Sequence, residues 1–280
     1  IDTFGPDHAL KRFKGNTYND WTRLNNLFST MKKENWTVEY MRGQIDEYIA
    51  RKRESDEFIY KRKSGENKAG DFKEADFRKK VLEPMEVLRA SASEYDRYNA
   101  MLAERGQYDF DDMLLWVNEA FSKYPDLLAN YQERFLYFLV DEFQDTNGIQ
   151  IAILQKLIDH EWMDQPNVFV VGDDDQAIYR FQGANIENLV QFHRRYNPNV
   201  IVLSQNYRSS QIILDASRVV MRPVEASMMQ QIFGQEISLS ASGEHAAMKQ
   251  HVHLQSLTTV TYENASIYKE LKDWYESGRD

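Results

Sequence analysis

Leu136-Tyr137-Phe138-Leu139-Val140-Asp141-Glu142-Phe143-Gln144-Asp145-Thr146-Asn147 is the stretch on which the fold turns. An apolar run, Leu136 to Val140, leads straight into two adjacent carboxylates. A run that short and that apolar reads as a buried strand with Asp141 and Glu142 at its tip. Such a tip suits magnesium-nucleotide chemistry, because one carboxylate can hold a hydrated Mg2+ while its neighbour polarises an attacking water. An Asp-Glu pair also ends many strands with no chemical purpose. Here it is followed by Gln144-Asp145-Thr146, and that addition lifts the segment above the background.

Two further runs rich in β-branched or aromatic residues, Val168 to Val171 and Val200 to Leu203, also end in polar clusters. The first opens into Gly172-Asp173-Asp174-Asp175-Gln176-Ala177-Ile178-Tyr179-Arg180-Phe181-Gln182-Gly183, the second into Ser204-Gln205-Asn206-Tyr207-Arg208-Ser209. Helix patterns over Ile149 to Ile158 and Ile186 to Tyr196 separate the three runs. Strand, helix, strand, helix, strand predicts parallel pairing through right-handed crossovers, with the chemistry at the carboxyl ends of the strands. At those ends Gln176 could report on a terminal phosphate, and Tyr179 and Phe181 offer flat faces on which bases stack. Arg208 has the fork geometry for a phosphate. Taken singly, each has a blander reading, a core aromatic or a surface charge. Three such clusters on three successive strands shift the balance.

Residues 1–105 read as helical, with apolar residues at helix spacing such as Ile45, Tyr48 and Ile49. Gly65 to Gly70 reads as a mobile loop between two helices. Beyond Asn206 a helix is predicted through Ile212, Ile213 and Ala216 to Val220, then a strand within 250–260 and a helix over Ala265 to Tyr275. The 280 residues are 42% hydrophobic and 28% charged, which suits a soluble globular protein of about two domains, and the apolar runs are too short to cross a bilayer. No signal peptide is expected before Ile1. The absence of Cys rules out disulfides and cysteine-ligated metal, and fits a reducing, cytoplasmic setting. His251 and His253 form an i, i+2 pair that reads as a solvated strand face rather than a metal site. Charge is segregated: residues 1–105 hold 21 Lys and Arg against 19 Asp and Glu, leaving 13 basic and 25 acidic residues for the rest. The basic stretch from Arg51 to Lys80 reads equally as a solvated helix face or a phosphate-contacting surface.

Together the three clusters resemble superfamily 1 DNA helicases of the UvrD, Rep and PcrA type. Asp141 to Asn147 is similar to that family's motif II, Gly172 to Gly183 to motif III, and Gln205 to Ser209 to motif IV. Tyr108-Asp109-Phe110-Asp111-Asp112 resembles the segment where the chain re-enters the first motor domain. The resemblance implies an α/β, parallel-sheet, P-loop-type (RecA-like) motor core with a mainly helical insert. It places insert 1B at 1–105, the later part of motor domain 1A at 106–205, and the start of domain 2A at 206–280. It further implies Asp141 as Mg2+ ligand through water, Glu142 as general base, and Gln144 as the link from the ATP site to the DNA-binding motifs. Gln176 and Arg208 would contact the γ-phosphate, Tyr207 would stack on adenine, and Tyr179 and Phe181 would lie along the single strand. Where the family commonly has Trp-Arg, this chain has Phe181-Gln182, which keeps a stacking face and removes a charge.

None of the 12 Gly is followed by Lys, so the chain holds no G-x-x-x-x-G-K-[ST] loop to wrap a triphosphate. Motif order in the family puts that loop upstream of Ile1 and motifs V and VI downstream of Asp280. The resemblance therefore implies an internal fragment of an ATP-dependent 3′ to 5′ DNA helicase, acting on single-stranded DNA and on duplex DNA with a 3′ tail. The alternative is a non-catalytic module that keeps the motor scaffold to bind DNA or a partner. An intact Glu142 argues against it, since such a module has no need of a base beside its magnesium ligand.

Overall fold

Helix follows helix through the first third, as the apolar spacing predicts. The structure, a computed structural model, describes residues 10, 17–63, 67–160, 165–173, 176, 186–221, 238–244, 246, 248, 252 and 254–278. Helix α1 (Thr17–Lys33) ends in a tight turn in which Asn35 takes a left-handed φ of +54°. Trp36 N–H closes that turn on Met31 O at 2.8 Å. Helix α2 (Val38–Arg53) starts at Thr37, whose hydroxyl accepts from Tyr40 N–H at 3.1 Å, and ends in Arg51-Lys52-Arg53, charges that suit a helix C-terminus.

Of the loop expected at Gly65 to Gly70, residues 67–70 are described, and the chain on either side is paired in antiparallel fashion, Ile59 with Phe72. Tyr60 N–H bonds Asp71 O at 2.9 Å, Gly70 N–H bonds Tyr60 O at 2.9 Å, and Lys73 N–H bonds Phe58 O at 2.7 Å. A short helix α3 (Glu74–Phe77) runs through a π turn (Arg78–Leu82) into α4 (Glu83–Ser93). Pro84 accounts for the wide turn: it has no N–H for the Lys80 carbonyl and its ring would crowd that carbonyl in an α-helix. Helix α5 (Tyr95–Glu104) completes the helical region. Phe28, Met31, Val38, Met41, Ala92 and Tyr95 form its core, and Phe58, Phe77 and Val81 form a second core beneath that antiparallel pairing.

From residue 110 the pattern changes to α6 (Phe110–Lys123), α7 (Pro125–Arg134), β1 (Phe138–Val140), α8 (Gly148–Ile158), β2 (Val168–Val170) and α9 (Ile186–Tyr196). Strands β1 and β2 pair in parallel, with Leu139 opposite Phe169. Phe138, Val140, Val168 and Val170 pack on a core of Phe143, Ile151, Ile158 and Phe192, so α8 and α9 cover one face of the pair. The α1 helix is tied to α6 by an ion cluster around a buried lysine. Lys32, 1% exposed, lies 2.8 Å from Asp109 Oδ2 and 2.7 Å from Asp112 Oδ1. Those two carboxylates also cap α6, since Asp109 accepts from Asp112 N–H and Asp112 from Asp109 N–H.

The strand predicted over Val200 to Leu203 does not form a ladder among the described residues. All four side chains are exposed, and an extended run becomes a strand only where a neighbour supplies the opposing N–H and C=O groups. Pairing comes two residues later, where β3 (Gln205–Asn206) runs parallel to β4 (Ser240–Ala241). Helix α10 (Gln211–Met221) follows β3 as predicted. Residues 252 and 254–259 form no strand; the Thr259 hydroxyl accepts from Tyr262 N–H at 3.3 Å and starts α11 (Val260–Glu276) earlier than the periodicity suggests. His251 and His253 lie outside the described residues. The chain divides into two compact units, residues 1–198 and 199–280, so β3 belongs to a different unit from β1 and β2. Among the described residues, no helix is long and apolar enough to cross a membrane.

Candidate functional site

The carboxyl ends of β1 and β2 meet around one glutamine. Val171 N–H bonds Val140 O and Phe143 N–H bonds Val171 O, both at 2.9 Å, so the ladder extends past the strands and brings the two tips together. Between those bonds Glu142 adopts the left-handed region, φ +50° and ψ +45°. That conformation costs a side-chain-bearing residue about 1 kcal/mol or more, so its surroundings must hold it. Phe143 is fully buried and meets Phe192 edge-on at 5.0 Å, which anchors the turn from below.

Gln144, 2% exposed, uses both ends of its amide. Its Nε2 donates to Glu142 Oε2 at 2.6 Å, and its Oε1 accepts from Asp173 N–H at 3.0 Å. One buried side chain thus fixes the Glu142 carboxylate and reads the backbone at the tip of the neighbouring strand. Gly172 makes this possible, because a Cβ there would stand 2.9 Å from Gln144 Oε1. The turn is closed further by Thr146 Oγ1 donating to Phe143 O at 2.6 Å and by Asn188 Nδ2, from α9, donating to Thr146 O at 3.0 Å. Asn147 and Gln150 then form a reciprocal cap at the start of α8.

Asp141 and Glu142 are both exposed at this tip, and Asp141 Oδ1 accepts from Glu142 N–H at 2.9 Å. Gln176 is exposed after β2 and donates to Asp173 Oδ2 at 2.8 Å. Among the described residues, no three acidic or imidazole groups converge as a self-sufficient metal cage. A pair of exposed carboxylates matches a hydrated Mg2+ that takes its remaining ligands from water and nucleotide phosphates. Tyr207 and Arg208 belong to the other unit. There Tyr207 OH donates to Gln205 Oε1 at 2.6 Å, and Asn206 Oδ1 accepts from Arg208 N–H at 2.9 Å and Ser209 N–H at 2.8 Å, so both side chains leave a rigid turn into solvent. Tyr179 and Phe181 lie outside the described residues.

The sequence placed Gly172 and Thr146 within the motif strings but gave neither a role of its own, and it did not single out Asn188. Gly172 carries a legible signal, a glycine between an apolar strand and an acidic run, where a neighbour approaches closely. Asn188 carries none, since its partner lies 42 residues away.

Parallel strand tips that carry an exposed carboxylate pair, bridged by one buried glutamine, define the site. Residues 8–197 match the UvrD/REP helicase N-terminal domain, and the chain belongs to that family of DNA helicases. It is similar to the ATP-dependent DNA helicase PcrA of Leuconostoc citreum, 40% identical over 149 residues, which cover 50% of this chain and 19% of that protein. The putative ATP-dependent DNA helicase YjcD of Bacillus subtilis (strain 168) is 42% identical over 129 residues, 46% of this chain and 16% of that protein. PcrA of the same strain is 37% identical over 151 residues, 51% of this chain and 20% of that protein. The aligned part thus spans about a fifth of the length of these relatives.

Proposed function

We propose that this chain is part of the motor of an ATP-dependent DNA helicase, with a RecA-like core that couples Mg-ATP hydrolysis to 3′ to 5′ movement along single-stranded DNA and to unwinding of duplexes with a 3′ tail. The observation that carries the reading is the Gln144 amide, which joins the Glu142 carboxylate to the Asp173 backbone within a strand-tip string of helicase type. Bound Mg2+ would neutralise phosphate charge and orient the nucleotide. Asp141 would hold its water shell, and Glu142 would take the proton of an attacking water. Gln144 keeps Glu142 aimed and passes any shift of the Asp173 segment to it. Gln176 and Arg208 contact the γ-phosphate, Tyr207 stacks on adenine, and Tyr179 and Phe181 offer faces to successive bases.

The experiment is Glu142→Gln in a longer protein that carries a triphosphate-binding loop. The change keeps shape and hydrogen bonding and removes the base, so turnover is expected to fall by at least about 100-fold with nucleotide affinity nearly unchanged. A fall of less than about tenfold rejects Glu142 as the base and favours the non-catalytic binding module. The 280-residue chain by itself is expected not to hydrolyse ATP, because no G-x-x-x-x-G-K loop supplies the amides and lysine that grip the triphosphate.

A further inference from the structure

The start of α8, directly after the Gln144–Asn147 turn, rests on the residue that follows α1. A Cβ on Gly148 would lie 2.8 Å from the Glu34 carbonyl oxygen and 2.9 Å from both Glu34 Cα and Glu34 Oε2. Two backbones therefore meet here with no room for a side chain. The half-buried Glu34 carboxyl is pushed up by burial, partly offset because it accepts a hydrogen bond from Gly148 N–H. Glu34 is held in turn by its own neighbours. Glu34 N–H bonds Thr30 O at 2.9 Å, and Lys32, two residues earlier, is locked between Asp109 and Asp112. From Gly148 back to Glu142 the chain has little slack, with the Asn147–Gln150 cap, the Thr146 and Asn188 bonds and the Gln144 bridge following one another.

We propose that Glu34 is a positioning residue for the Glu142 carboxylate: as the stop against which α8 begins, it couples the helical region to the motif II turn. The functional meaning rests on the reading of Glu142 as the general base, but the coupling is a property of this chain and is measurable without turnover. If Glu34 did no more than cap a helix, its loss would loosen the first turn of α8 and leave the residues before it unchanged.

The test compares Glu34→Ala, Glu34→Gln and Gly148→Ala in the 280-residue chain by amide hydrogen exchange and by the NMR signal of the Gln144 side-chain amide. Glu34→Ala and Gly148→Ala are expected to speed exchange at Phe143 to Asn147 by about tenfold or more, and to shift the Gln144 amide, while Met41 and Ile45 in the helical core keep their protection. Glu34→Gln retains an acceptor for Gly148 N–H and is expected to restore wild-type exchange. Unchanged protection at 143–147, uniform acceleration across residues 17–198, or a Gln variant as perturbed as the Ala variant would each overturn the proposal. A negative result here leaves the Glu142→Gln test intact, so the two ideas fail separately.

Discussion

Gln144 is where side-chain chemistry and backbone geometry meet. Its amide satisfies a carboxylate on one side and a backbone N–H on the other, and a buried amide that loses such a partner costs about 1–3 kcal/mol. Gly172→Ala tests this without touching either carboxylate. The new Cβ would press on Gln144 Oε1 from 2.9 Å, and that buried oxygen can yield only by leaving Asp173 N–H. The variant is expected to lose about 1–3 kcal/mol in urea unfolding; an unchanged midpoint would mean that Gln144 relaxes freely. Phe181 is tested by affinity. As a stacking platform it is worth about 1–3 kcal/mol, so Phe181→Ala in the longer protein should weaken single-stranded DNA binding by roughly 5- to 100-fold with an unchanged salt slope. A core phenylalanine would instead lower the unfolding midpoint and leave affinity as it was.

At the level of elements, the contact of α1 with α6 depends on charge. Lys32 is pushed down by burial, but its hydrogen bonds and attraction to Asp109 and Asp112 outweigh this and its pKa is raised. Burial pushes Asp109 up, yet the bond to Lys32 and the capping amide of Asp112 carry it below its ordinary 3.8. A raised lysine contributes stability below its unfolded value of 10.5 and loses it as pH rises through the folded value. A depressed carboxyl contributes above 3.8 and loses it as pH falls through the lower folded value. The contact is therefore at full strength across neutral pH and gives way in acid and in strong alkali. Lys32→Met fills the same space and leaves the carboxylates unpaired. Because Asp109 is 46% exposed, the expected loss at pH 7 is about 1–3 kcal/mol, below the 3–5 kcal/mol of a fully buried pair. Unfolding of the variant, followed from pH 7 to pH 3, should show a shallower decline than wild type. Parallel curves would show that the cluster adds nothing to the pH dependence.

On the scale of the whole molecule, the β1–β2 pair has one bare face. Leu139 is 81% exposed and its register partner Phe169 is 56% exposed, whereas the alternate positions pack under α8 and α9. Parallel strands are ordinarily covered on both sides, so their burial here is half of what an apolar run implies. Leu139→Ser in this chain is accordingly expected to change stability by no more than about 0.5 kcal/mol. Val140→Ala, on the packed face of the same strand, should cost about 1–2 kcal/mol. Denaturant unfolding of the two variants checks this, and equal losses would show that both faces are packed.

Much of the site was legible because its determinants are local. The Asp-Glu tip, the parallel β1 and β2, and the helices over 149–158 and 186–196 follow from runs and periodicities a few residues long. Capping is local too: Asp109 to Asp112 and Asn147 to Gln150 are contacts three residues apart that any chain with those residues can make. What the chain could not announce lies across distance. Gln144 meets Asp173 29 residues on, and Lys32 meets Asp109 77 residues on, so both depend on which elements pack together. The run from Val200 to Leu203 has the composition of a strand and forms no ladder among the described residues, because β-branched residues favour an extended backbone but cannot supply the neighbouring strand that a ladder requires.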